Sequence, residues 1–439
     1  MDGVLFSNHT PTPGLTEYKK AIEPVQVKGI LRDPLRVELV NRYDFLTLDH
    51  LACNYSLVGD GFEQSIGKLL LPKGIRPGKT AKISIDGLDL TKAALSDTYL
   101  TVSFVLKNDH LWAKAGHEVA WGQVKTADPA KSDLSLRSLT IHKQAISIKK
   151  ISSNVLSIAN QESAWKFDTT KGIITSWIKS CTPETELLTQ PPILDFYRAL
   201  TDNDAPRAGV LWKEKRLHQT KHHLKSITYT NENGNFIITT QTRIAPPVLE
   251  WCVDTTTTFA FNHTSLQIHV AGIPSGINLP RTFARIGYTF SINPLFKNVK
   301  WFGRGPGESY VDKKESQRFG NWDMPIKDLW VPYEFPQESG NRTDVRHVTF
   351  SGIDGDGEQI SAKMNFGDQE GCSFSASHYR VEDVDAARHP FELEKKRKEE
   401  VIVRLDWRHM GLGTGSCGPD CLPQYELRSE PFEFDLWFE

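Results

Sequence analysis

The sequence predicts an all-β chain in which a sandwich of about a hundred residues precedes a larger sandwich of two big sheets. Three observations predict it. Short runs that alternate apolar and polar residues recur along nearly the whole chain, the period a strand with one buried face requires. Gly, Pro, Asn, Asp and Ser punctuate these runs, and no sustained helical periodicity separates them. Finally, 439 residues at 39% hydrophobic suffice to bury large cores, spread over about two or three domains.

From about Val25 to Lys125 the runs VQVKGIL, RVELVNRY, KISID, YLTVSFVLK and HEVAWGQV read as strands, and an immunoglobulin-like β-sandwich is the natural architecture for that length. Thr126–Leu136 (TADPAKSDLSL) is polar, contains proline and lacks periodicity, which predicts a linker. Residues 137–439 continue with LTIHK, AISIKK, VLSIA, AWKFD, IITSW, SITYT, FIITTQT, FARIGYTFSI, VIVRLDW and FEFDLWF, a number of strands that fits two large sheets packed face to face. Short helical pieces are predicted near Lys313–Arg318 and Val381–Ala387, and Lys395–Lys398 reads as a solvated turn.

Charge narrows the partners. Lysine plus arginine number 52 and aspartate plus glutamate 54, a net charge of −2 that argues against nucleic acid and anionic membrane surfaces and favours a neutral ligand. Cys53, Cys181, Cys252, Cys372, Cys417 and Cys421 are too sparse for a disulfide scaffold and read as reduced thiols. Met1–Phe6 has no basic n-region and no apolar h-region, so the start is not a signal peptide and a cytoplasmic location is expected. Sequons at Asn8, Asn54, Asn262 and Asn341 carry little weight without one.

One region stands apart: WFGRGPGESY at 301–310, then WDMPIKDLWVPYEFPQESGNR at 322–342. It concentrates glycine, proline, tryptophan and charge, a mixture that suits an ordered concave surface as well as a long structured loop. Together with Arg198-Ala199-Leu200-Thr201-Asp202-Asn203-Asp204, these motifs resemble the C-terminal domain of the large β-galactosidases of glycoside hydrolase family 2, sometimes encoded separately as a small chain. The motifs are long and occur in the family's order over nearly the whole chain.

That resemblance implies a galactose-mutarotase-like β-supersandwich for residues 137–439 and an immunoglobulin-like sandwich for 25–125. It also implies that residues 1–24, with their Thr-Pro-x-Pro turn and short helix, are the exit from a catalytic barrel that this chain lacks. Residues Asp202, Asn203 and Asp204, leading through Arg207 and Gly209, are similar to a segment entering a mobile loop beside the active site; Asx residues equally cap turns. Residues 411–419, with Gly413 and Cys417, resemble the loop lining the aglycone side of the pocket, or else a plain glycine-rich turn. Some family members carry a stacking tryptophan there, and here Cys417 stands near its place. Asp2 falls where the family has an Asn or Asp beside sodium. Magnesium and sodium are expected in the complete enzyme and no cofactor in this chain; the implied partners are the catalytic barrel half or its oligomer and a β-galactoside.

The chemistry is then sought against what glycoside hydrolysis needs. A retaining enzyme requires two carboxyl groups about 5 Å apart, one a nucleophile and one an acid. In the family they lie on barrel strands, in motifs absent here. Glu308, Glu334 and Glu338 read better as structural partners of Arg304, Arg342 and Arg346. His218 and His222 would share a face if residues 212–223 were helical, yet no third ligand pattern accompanies them and a solvated surface is the better reading. Two other functions stay open: a carbohydrate-binding protein needing an aromatic platform from Trp301, Trp322, Trp330 or Trp407, and a mutarotase-like epimerase needing His347 or His409 to face a carboxylate in a cleft.

Overall fold

The computed structural model describes residues 3–32, 35–85, 97–127, 146–179, 185–232, 234–367 and 371–439. The chain forms two compact units, Asn8–Asp133 with Glu315–Trp322, and Met1–Ser7 with Leu134–Lys314 and Asp323–Glu439.

The smaller unit opens with helix α1 (Pro13–Ala21), and its start follows from sequence: the Thr12 side chain accepts from Leu15 N, and Pro13 occupies the first turn, where an N–H would lack an intrahelical partner. Seven strands follow: β1 (Val25–Arg32), β2 (Leu35–Asn41), β3 (Leu51–Gly59), β4 (Phe62–Leu69), β5 (Thr80–Ser84), β6 (Thr98–Leu106) and β7 (Glu118–Ala127). They pair in the orders β1-β2-β5 and β4-β3-β6-β7. Alternate residues Leu100, Val102 and Phe104 of β6 face Val37 and Leu39 of β2 in a fully buried core. Thr126 and Ala127 end β7, and the rest of the linker predicted at 126–136 lies outside the described residues.

The larger unit contains β8 (Ser147–Ser152), β9 (Val155–Ala159), β10 (Ser163–Asp168), β11 (Ile173–Lys179), β12 (Leu188–Asp195), α2 (Ala208–Glu214), β13 (Lys221–Glu232), β14 (Asn235–Ala245), β15 (Trp251–Phe261), β16 (Leu266–Gly276), β17 (Arg285–Ile292) and β18 (Phe296–Gly305). After β19 (Arg318–Pro325), which brings the chain back from the smaller unit, come β20 (Arg342–Thr343), β21 (His347–Ile353), β22 (Gln359–Phe366), β23 (Ser373–Ser377), α3 (Val381–Ala386), α4 (Pro390–Glu394), β24 (Val401–His409) and β25 (Phe432–Phe438). The sheets run β11-β10-β9-β8, β12-β17-β24-β23-β20 and β13-β14-β15-β16-β25-β22-β21-β18-β19. Edge-to-face aromatic pairs join the four-stranded sheet to the nine-stranded one: Trp165 with Phe261 at 5.3 Å, Phe167 with Phe259 at 5.1 Å and Trp177 with Phe438 at 5.5 Å. This is the all-β sandwich the alternation predicts.

The five-stranded sheet positions the site. Its strand β24 is buried on both faces, Val401, Val403 and Leu405 alternating with Ile402, Arg404 and Asp406. The polar set continues across the sheet in register, where Arg404 lies opposite Thr289 on one side and Ser375 on the other. A buried polar face of this kind is expensive unless its groups are hydrogen-bonded to something, so it marks a place where structure is organised around chemistry.

Two expectations need adjusting. Lys313–Arg318 is not helical: Lys313 is drawn to Glu308 and Lys314 to Asp344, and Arg318 already begins β19. Residues 212–223 are not one helix either, since α2 ends at Glu214 and His222 lies on β13, away from the 3₁₀ turn Leu217–Gln219 that carries His218. The helix at Val381–Ala386 does form, LTIHK lies outside the described residues, and among the described residues no helix is long and apolar enough to cross a membrane.

Candidate functional site

Arg198, just beyond β12, is fully buried and uses all of its N–H donors. Nε and Nη2 hold the two Asp204 oxygens at 3.0 and 2.8 Å, Nη1 donates to Met410 O at 2.6 Å and to His409 Nδ1 at 2.9 Å, and Nη2 reaches Gly411 O at 3.1 Å. His409 Nδ1 also stands 3.2 Å from Met410 O. Burial first, and then the Arg198 charge, keeps the His409 pKa well below the usual value. Asp204 also accepts from Thr201 N, while its own N–H donates to Thr201 Oγ1. Its backbone carbonyl takes the N–H groups of Arg207 and Gly209, turning the chain into α2.

The neighbouring Asn203 clips the second stretch in place. Its Nδ2 donates to Gly413 O at 2.9 Å, and its Oδ1 accepts from Ser416 N at 3.1 Å and Ser416 Oγ at 2.8 Å. From below, the Asp312 carboxylate accepts from Leu412 N and Gly413 N at 2.9 and 2.8 Å. Glycine is needed at two points: Gly413 has φ of +65°, and a Cβ on Gly415 would come within 2.7 Å of Asn203 O. Asp202 exchanges bonds with Gln337 at 3.1 and 3.3 Å.

The structure therefore brings Asp202, Asn203, Asp204, Arg207, Gly209, Gly413 and Cys417 into one assembly, but in different positions. Asp204 and Gly209 are buried in its foundation, Asp202 and Asn203 are half-buried, and Arg207 and Cys417 are exposed at the rim. Asp2 lies outside the described residues, and among those described no group of three or more His, Cys, Asp or Glu could hold a metal ion. Arg198, Asp312 and Gln337 went unmarked in the sequence as site residues, because nothing local announces bonds to partners from about a hundred to two hundred residues away.

The carboxylates of the aromatic region are structural, though with other partners than the sequence suggests. Buried Glu308 accepts from Lys313 Nζ at 2.8 Å, Tyr333 OH at 2.7 Å and Gly340 N at 2.8 Å; burial alone would raise its pKa, and these three, led by Lys313, bring it below the ordinary value. Glu334 takes Ser7. Arg342 bonds backbone carbonyls of Pro306, Leu329 and Gly340, and Arg304 pairs with Asp344 at 2.7 Å. Burial pushes the Asp344 carboxyl up, but Lys314 and Arg304 outweigh it and hold it at about 2. A depressed folded pKa gives stability that is complete above the unfolded value near 4 and lost as pH falls toward 2. Its size is about 2 kcal/mol. Asp344→Asn should therefore flatten the acid limb of a stability-against-pH curve, and an unchanged limb would refute the assignment.

A family model described as Beta galactosidase small chain matches residues 159–438, and one described as Beta-galactosidase, domain 4, matches 37–127. The chain belongs to the β-galactosidase small chain family. A β-galactosidase of Kluyveromyces lactis is 33% identical over 450 residues, covering 100% of this chain and 39% of its own length; one of Pectobacterium atrosepticum is 27% identical, covering 94% and 38%. The chain thus spans about two fifths of the curated relatives it matches. A galactose mutarotase-like protein from Lactobacillus casei aligns over 65% of this chain and 99% of its own at 9% identity and a TM-score of 0.36, a likeness too slight to bear on function.

The residues named for the alternatives are placed otherwise. Trp301 is buried, and Trp322, Trp330 and Trp407 are half-buried, so they offer no flat exposed platform. His409 faces Arg198 in place of a carboxylate, and the His347 ring lies stacked with Phe302.

Proposed function

We propose that this chain is the C-terminal, non-catalytic portion of a β-galactosidase, and that its Asp202–Gly209 and Gly411–Cys417 loops serve as lid and wall of a galactoside pocket completed by a catalytic barrel. The observation that carries this reading is the Asn203 clip, three hydrogen bonds that tie together stretches 210 residues apart behind an exposed rim. Ordering exposed loops costs conformational entropy and returns little burial, which makes sense where a preordered surface must meet a ligand. The two catalytic carboxyl groups, about 5 Å apart in a retaining enzyme, would come from the barrel. Magnesium and sodium would sit on the barrel side too, the sodium beside Asp2.

The test is complementation. The full chain alone should not hydrolyse a chromogenic β-galactoside, while the chain co-expressed with a barrel half from a family relative should co-purify with it and turn the substrate over. Turnover by the chain alone that one Glu→Gln change abolishes would overturn the proposal, as would a stable but inactive complex.

A further inference from the structure

The polar face of the five-stranded sheet does more than anchor loops. Between β12, β17 and β24 on one side and the Leu217–His222 segment and α3 on the other, it leaves a cavity of about 420 Å³, inside the range of small-molecule sites. None of its lining residues belongs to the Asp202–Gly209 or Gly411–Cys417 loops, and all of them lie in the larger unit.

Arg404 on the cavity floor is the group that demands an explanation. It is 4% exposed, and its Nε is buried without a hydrogen-bond partner. The acids around it make their hydrogen bonds to groups other than Arg404. Asp406 is taken by Arg285 Nε at 2.7 Å, and Asp195 accepts from Phe196 N, Tyr197 N and Thr289 Oγ1. Glu338 acts on Arg404 only through the field, without a direct ion pair among the described residues. A guanidinium carries five donors in a fixed fork; the buried Nε has no surface for a ligand to reach, so what the cavity offers an acceptor oxygen from outside the chain is the Nη end of Arg404.

The rest of the lining says what kind of oxygen. Asp195, Glu382 and Asp385 face the cavity against Arg380 and Arg404, a formal excess of one negative charge that opposes an anion. The histidines do not reverse it, since burial lowers the pKa of both His218 and His222. Acceptor and donor alternate along the floor: Asp195 Oδ2 at 3.2 Å from Thr289 Oγ1, with Thr289 directly across the strands from Arg404. Ile193 and Ile402, on the same face of the sheet as Thr289 and Arg404, supply apolar surface beside them. A ring with hydroxyls on its edge and C–H groups on its face matches that mixture.

We propose that this cavity is a binding site for a neutral pyranose sugar, with Arg404 donating to its hydroxyls and Asp195 accepting from them.

The test is titration of the full chain with D-galactose and D-glucose, by calorimetry or ligand-observed NMR, alongside galacturonate and inorganic phosphate. Saturable binding of at least one neutral sugar is expected, weakened by about tenfold or more in Arg404→Met, the loss expected for hydrogen bonds from a charged donor. His222 on β13 lines the cavity, so His222→Trp should fill it and abolish binding, with an unchanged circular dichroism spectrum showing that the variant folds; this variant decides the matter if Arg404→Met does not fold. No saturable binding of either sugar up to about 50 mM, a level at which even weak sites fill, would overturn the proposal. So would binding that His222→Trp leaves intact, or tighter binding of phosphate or galacturonate than of the neutral sugars.

Discussion

Arg198→Met should destabilise the larger unit by about 3–5 kcal/mol, the cost of leaving a buried carboxylate without its cation. Every donor of Arg198 is engaged, and Asp204 at 3% exposure would keep only the Thr201 N–H. The carbonyls of Met410 and Gly411 would lose their donors as well, which adds to the loss. Methionine fills much of the same volume, so the effect reads charge and hydrogen bonding more than packing. The double variant Arg198→Met with Asp204→Leu removes the stranded charge and should recover part of the stability. Urea denaturation followed by tryptophan fluorescence measures all three. A loss under about 1 kcal/mol for the single variant would mean that the pair is not the post it resembles.

How much of this was legible in the sequence depends on where each residue's partners lie. Strands such as β10, β14 and β25 alternate buried with exposed or half-buried residues, and their period shows without any knowledge of neighbours. VIVRLDW is readable as a strand too, but nothing local says where its charges lie. In fact Arg404 and Asp406 are buried, because Arg285 and the lining of a cavity come from distant segments. Strand β12 escaped notice for another reason. Pro191 and Pro192 argue against a strand, and they are tolerated because β12 lies at the edge of its sheet. At the site, the Asx triplet and the glycine-rich stretch were visible as motifs that resemble a family's. The division of labour inside the triplet was not: Asp202 reaches Gln337, Asn203 the glycine loop and Asp204 Arg198, three consecutive side chains sent to three remote places.

In the enzyme reassembled with a barrel half, Asn203→Ala should lower kcat by about a hundredfold, the penalty expected when a pocket wall drifts by an ångström or so. The alanine removes the Gly413 and Ser416 bonds but leaves Arg198, Asp204 and the Asp312 cradle in place, so the fold and the complex should survive. Two readouts separate positioning from general damage. Tryptic cleavage after exposed Arg207 should accelerate by about tenfold, the increase expected when local opening becomes easier by a little over 1 kcal/mol. Co-purification with the barrel half should be unchanged, because Asn203 is only half-buried and its partners are within this chain. Asn203→Asp is the informative companion: it keeps an acceptor for Ser416 but sets a carboxylate oxygen against the Gly413 carbonyl, so it should fall on the damaged side with alanine. If kcat stays within about twofold of the parent while cleavage at Arg207 accelerates, the loops are tied together but do not shape the pocket, and the wall assignment fails.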